Sequence, residues 1–245
     1  MTYLTNFNAF MKSKSSSLIF LLLTAVLFHM ETLYAQTQKM YVGTYTNQSQ
    51  SKGVYIYDLD EQTGKVKLSK TIPMSNPSFL ARKGDILYAV NEDNKGMLTA
   101  YDLKRDQVLS EISTNGMHPC HVALSPRDPA VIVSNYSSGS LVLYALRDDG
   151  SIKSQDDFIT FEGSSINKER QQESHIHSAF FKRDGSRVFV SDLGADLIYV
   201  FEIIQKDGKF NLHKVNEIHT KAGGGPRHLV FSKNEKTIYS ILELT

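Results

Sequence analysis

The sequence predicts an all-β protein, a β-propeller of four-stranded blades, on three observations. Short runs of Val, Ile, Leu and Tyr are separated by Gly, Asp and Asn from residue 39 onward, the composition of strands and tight turns. Four stretches then repeat one order of apolar strand, polar turn, second apolar strand and polar terminus: "NPSFLARKGDILYAVNE" (76–92), "HPCHVALSPRDPAVIVSNY" (118–136), "SHIHSAFFKRDGSRVFVSDL" (174–193) and "GPRHLVFSKNEKTIYSILEL" (225–244). With Ser78, His121, His177 and His228 taken as equivalent, the intervals are 43, 56 and 51 residues, which suits three or four strands per unit. A β-sandwich also has many short strands, but it does not repeat the same polar termini.

The elements follow in order. Residues 1–35 read as a secretory signal peptide: Lys12 and Lys14 precede the unbroken apolar run 18–28, and Ala35 offers a small residue for cleavage. Met11 is a second candidate start. The apolar run falls short of the ~20 residues of a membrane span, which sets the signal reading against an uncleaved anchor. Export to the periplasm or the extracellular space is expected, with no membrane attachment after cleavage. Residues 36–245 then form a partial propeller domain. The first three repeats each continue into a third strand, "MLTAYDL", "SLVLYALRDDGSI" and "LIYVFEIIQKDGKF". "RDDG" (147–150) and "KDG" (206–208) read as hairpin turns. Cys120 is the only cysteine, so no intrachain disulfide forms.

Bulk composition sets the partners. A formal charge of +1 gives no reason to expect nucleic acid or an anionic membrane. A small molecule and a monomeric chain are expected instead.

In a propeller blade the start of the first strand and the end of the second lie on one face. Cross-strand partners in a hairpin keep a constant index sum, which pairs Arg227 with Glu243, His175 with Asp192 and Pro119 with Asn135. A bulge shifts such pairs by one. His118, His121, Asn135, His175, His177, Asp192, Arg227, His228 and Glu243 are therefore expected around one mouth.

Several of these stretches resemble a known family. "HPCH" followed by "SNYSSGSL", "HIH" followed by "DLGAD", and "GGGPRH" followed by an acidic strand end are similar to the seven-bladed propeller lactonases, including propeller-type 6-phosphogluconolactonases and carboxymuconate cycloisomerases. "MYVGTYT" (40–46) resembles the family's opening strand. The resemblance implies a seven-bladed ring, of which about four to five blades fit here, as a fragment or an open ring. It implies no cofactor and no metal. It places the lactone-acting residues on His175, Arg227 and Glu243, with His177 the competing histidine, and leaves His177, Asp192, His118, His121, Asn135 and His228 as substrate-binding candidates. An exported protein does not meet a phosphorylated cytosolic metabolite, so the reaction type transfers more readily than the substrate.

Lactone hydrolysis needs a base for water, a cation for the oxyanion and a proton donor for the departing alkoxide. A histidine near its free pKa of ~6.5 suits the first role. Arg227 suits the second, or holds a substrate carboxylate. Glu243 would fix Arg227 or donate the proton. Against this stands a structural reading, in which histidines pack and an Arg–Glu pair ties strands together. Alternation points His175 and His177 the same way, a geometry also open to a metal ion, and sends Cys120 and His121 to opposite faces. "GGGP" lacks the GK[ST] of a phosphate loop. The expected function is thus a lactonase-like carboxylic-ester hydrolase acting on a sugar lactone or sugar acid. The alternatives are a non-catalytic extracytoplasmic binding scaffold and an inactive truncated lactonase.

Overall fold

The computed structural model describes residues 37–47 and 49–245, all strand, turn and bend with no helix among them. The stretch read as a signal peptide, 1–35, lies outside the described residues. Contacts divide the chain into two units. The first includes 37–40 and Ile56–Ser69; the second is Tyr41–Tyr55 with Lys70–Thr245.

Strands β1 (Thr37–Val42), β2 (Gly53–Asp60) and β3 (Val66–Pro73) form a three-stranded sheet in that order. The remaining sheets all lie within the second unit. Strands β4 (Leu80–Lys83), β5 (Ile86–Asn91), β6 (Met97–Asp102) and β7 (Gln107–Ser113) make one four-stranded sheet. A second contains β8 (Pro119–Leu124), β9 (Ala130–Asn135), β10 (Ser140–Leu146) and β11 (Ile152–Thr160). A third contains β12 (Ile176–Phe181), β13 (Val188–Asp192), β14 (Leu197–Lys206) and β15 (Lys209–His219). The hairpin β16 (Pro226–Phe231) and β17 (Ile238–Leu242) is two-stranded. Every pairing in the last four sheets joins sequence neighbours, so these sheets are meanders, as expected of propeller blades.

Apolar residues at alternate strand positions face adjacent sheets. Val131, Val133, Val142 and Tyr144 join Tyr88, Val90, Leu98 and Ala100 in one core. Ile132, Leu141 and Leu143 turn the other way, to Val188, Val190, Tyr199 and Phe201. The second sheet is therefore buried on both faces, and β10 has no exposed position at all. The 147–150 turn lies between β10 and β11, and Asp207 and Gly208 turn between β14 and β15 with φ of 52° and 75°.

Register carries the most useful detail. Pro119 pairs with Asn135 as the index arithmetic gives, and the next pair is His121 with Ser134, so Cys120 is an extra residue. In the third sheet Ile176, not His175, opposes Asp192, and Ser178 opposes Ser191, which leaves His177 over. In the last hairpin Pro226 opposes Leu242 and Leu229 opposes Ser240, so Arg227 is not paired with Glu243 along the backbone. Strands β8, β12 and β16 thus carry a β-bulge at the same place, and Ser78, just ahead of β4, occupies the equivalent position. One backbone hydrogen bond marks it in all four units: the amides of Glu92, Tyr136, Leu193 and Glu243 donate to the carbonyls of Asn76, His118, His175 and Gly225 at 2.8–3.0 Å. The equivalent residues are Ser78, Cys120, His177 and Arg227. This corrects the sequence alignment, in which His121 and His228 stood one place too early.

Candidate active site

The repeated bulge determines which side chains meet. Ser78, Cys120, His177 and Arg227 line one cavity of about 510 Å3, together with Glu92, Tyr136 and Glu243 from the matching places just past the second strands. Tyr45, Phe79, Arg170 and His228 complete the wall. The size suits a small organic ligand.

At one side the Glu243 carboxylate joins three groups. Its Oε1 accepts from Arg170 Nη2 at 2.6 Å, its Oε2 lies 3.2 Å from Arg227 Nη1, and the same Oε2 is 3.8 Å from His177 Nε2. Burial alone would raise the Glu243 carboxyl, but the Arg170 hydrogen bond and the Arg227 charge outweigh it and hold the group below the usual carboxylate range. Glu243 is therefore ionised at neutral pH and is not the proton donor. Burial, the Arg227 charge and then His228 push His177 down to about 4, so its imidazole is neutral. Burial first, then Arg227, also lowers His228.

Local structure explains how these groups are held. Gly225 has φ 65°, and the amides of Gly223 and Gly225 donate to the two oxygens of Asp196 at 2.7 Å each, which aims the start of β16. The loop 161–175 is pinned by Gln171, fully buried, whose Nε2 donates to the Leu193 carbonyl at 2.9 Å. Arg170, its neighbour, thereby reaches Glu243 and donates to the Tyr136 hydroxyl at 3.1 Å.

Five expected residues fall elsewhere. His175 stacks on Tyr136, with ring centroids 4.4 Å apart and planes 6° from parallel, and its Nδ1 donates to the Tyr136 carbonyl. It flanks the cavity without lining it. His118 has φ 52° and shares a 2.7 Å hydrogen bond with Ser137, a turn residue rather than a wall residue. His121 is buried between Phe79 and Phe180, with burial holding it well below its ordinary pKa. Asn135 and Asp192 are fully buried. Asn135 Nδ2 donates to Thr114 and Ser140, and Asp192 accepts from Ser174, His175, Gly194 and Ala195 at 2.7–3.1 Å. Both tie backbone together. His177, Arg227, His228 and Glu243 do share the cavity.

Sequence reasoning missed Tyr45, Ser78, Phe79, Glu92, Cys120, Tyr136 and Arg170. Glu92 and Tyr136 occupy the repeat place of Glu243, a signal present once the bulge is counted. Arg170 sits in a loop with no repeat partner. Among the described residues no group of three or more His, Cys, Asp or Glu could hold a metal ion.

A family model described as a lactonase with a seven-bladed β-propeller matches residues 39–245. The chain belongs to this lactonase family. A 6-phosphogluconolactonase of Formosa agariphila is 32% identical over 217 residues, and one of Bacillus subtilis 31% over 213; each alignment covers 84% of this chain. The chain spans 62% and 59% of the length of these two curated relatives. Among solved structures, a Bacteroides fragilis protein matches with a TM-score of 0.78 and 32% identity over 86% of this chain and 62% of that one. The periplasmic gluconolactonase of Pseudomonas aeruginosa matches with a TM-score of 0.74 and 31% identity, over 85% and 62%. Lactonase-family membership accounts for the meandering four-stranded sheets.

Proposed function

We propose that the protein hydrolyses a sugar lactone at the cavity formed by His177, Arg227, Glu243 and Arg170. The observation that carries this reading is the Glu243 carboxylate set between two guanidiniums and 3.8 Å from a neutral imidazole. The names of the relatives support it.

His177 takes a proton from water as the water oxygen attacks the lactone carbonyl carbon. The imidazolium so formed lies beside the Glu243 carboxylate, which stabilises it and counters in part the burial and Arg227 charge that hold the imidazole at about 4. Arg227 holds the oxyanion of the tetrahedral intermediate, because Glu243 fixes one edge of its guanidinium and leaves 47% of the side chain exposed. Collapse breaks the ring C–O bond, and the imidazolium returns its proton to the departing alkoxide. The product is a hydroxy acid. His177 takes the role first given to His175.

Arg227→Ala should lower kcat/KM on glucono-δ-lactone by about 10²–10³-fold, the cost of an oxyanion donor. Glu243→Gln should lower it by at least tenfold, and His177→Ala by about 10²-fold or more. Unchanged rates in both Arg227→Ala and Glu243→Gln would end the proposal.

A binding scaffold is the second reading, favoured by the two arginines, which suit a sugar carboxylate without turnover. It predicts saturable binding of gluconate by calorimetry and no lactone hydrolysis. Export is proposed from the apolar run 18–28 behind Lys12 and Lys14, and the periplasmic neighbour supports it. Cell fractionation with N-terminal sequencing tests it: a mature protein starting near residue 36 outside the cytoplasm is expected.

A further inference from the structure

The same cavity carries a second carboxylate that the proposed chemistry does not use. Glu92 holds the same repeat position as Glu243, since its amide donates to Asn76 as that of Glu243 donates to Gly225. The bulge residue beside Glu243 is Arg227, whereas Ser78 takes the equivalent place beside Glu92. Among the described residues no cation pairs with Glu92. Its partner is the Tyr45 hydroxyl, which donates to Oε2 at 2.9 Å. Tyr45 is held there, because Asn76 Oδ1 accepts from the amides of Thr46 and Asn47 at 2.8 and 3.0 Å.

The two carboxylates face one space. Burial pushes the Cys120 thiol up, the Glu92 charge adds to this, and Arg227 and Glu243 act on the same sulfur, which lines the cavity together with both carboxylates. Burial and then the Glu92 hydrogen bond raise Tyr45 to about 12. Among the described residues the cavity's formal charges are Arg170, Arg227, Glu92 and Glu243, with His177 and His228 lowered by burial and neutral at pH 7. They sum to zero, and each guanidinium already neighbours Glu243. A carboxylate with free lone pairs accepts hydrogen bonds from sugar hydroxyls and repels phosphate.

We propose that Glu92, steadied by Tyr45, is a specificity residue that reads substrate hydroxyls and selects a neutral polyhydroxylated lactone over a phosphorylated one. This rests on the lactonase reading for its substrate class. It extends that reading to a further residue of the cavity lining.

Binding tests it separately from turnover. Full-chain protein is titrated calorimetrically with glucono-δ-lactam, the uncleavable neutral counterpart of the lactone, and with 6-phosphogluconate. Glu92→Gln should weaken lactam binding about tenfold and tighten 6-phosphogluconate binding about tenfold, with the second effect shrinking at high salt. Tyr45→Phe should weaken lactam binding several-fold. An unchanged lactam Kd in Glu92→Gln overturns the inference, as does wild-type protein that prefers 6-phosphogluconate. Hydrolysis of glucono-δ-lactone by the wild type judges the lactonase reading independently: lactam binding sensitive to Glu92 with no turnover would sink that reading and keep this one.

Discussion

The pH behaviour of His177 follows from its surroundings. In an unfolded chain the imidazole titrates near ~6.5. In the fold it is held at about 4. Between those values the unfolded chain binds a proton that the folded one refuses, so the contribution of neutral His177 is full above pH ~6.5 and is lost as pH falls to about 4. Glu243 acts in the same direction at lower pH, because its depressed carboxyl stabilises the fold above the usual carboxylate value and ceases to do so below its own. His177→Asn should therefore flatten the fall in unfolding free energy between pH 7 and 4 by on the order of 3 kcal/mol, read from urea melts. The acid limb of kcat/KM should lie near pH 4 instead of 6.5. A limb at 6.5 would remove His177 as the base. Asp192, fully buried with four strong donors, should cost about 3 kcal/mol as Asp192→Ala, whereas His175→Ala should leave kcat/KM within about threefold.

At the level of elements, β16 depends on the backbone that leads into it. A Cβ on Gly225 would meet the Leu244 side chain at 2.8 Å and sit at φ 65°. Gly225→Ala should cost about 1–2 kcal/mol and lower kcat/KM by displacing Arg227, measurable as a larger loss in kcat than in stability. The hairpin β16–β17 also differs from its counterparts. Val230, Tyr239 and Ile241 are 62–64% exposed, while the matching strands β9 and β13 are paired on both sides. Amides of β17 should exchange with deuterium orders of magnitude faster than those of β9. Equal protection would mean that β17 is covered in solution.

Across the second unit, stability rests on residues shared between neighbouring sheets. Leu143 is fully buried in the core between the second and third sheets, and Leu143→Ala should cost about 2–5 kcal/mol in a denaturant titration. The sheets themselves were legible in the sequence, because apolar runs bounded by Gly, Asp and Asn leave few other choices. The site was half legible. His177, Arg227, His228 and Glu243 converge because strand ends of successive repeats converge. His121 misled because one extra residue at a bulge changes which side chain faces the cavity, and residue types do not announce a bulge; Asn135 misled because the cavity takes the residue just past the strand end, Tyr136. Arg170 had no signal of its own, since its place depends on a buried glutamine and an irregular loop.

The bulge recurring in three sheets, with Ser78 in the equivalent place ahead of β4, has a consequence for how such proteins diversify. A residue left out of the ladder can be exchanged without rewriting strand register, and four such sockets open onto the same space. Serine, cysteine, histidine and arginine fill them here, so new reactivity is a matter of restocking sockets while the β framework stays as it is.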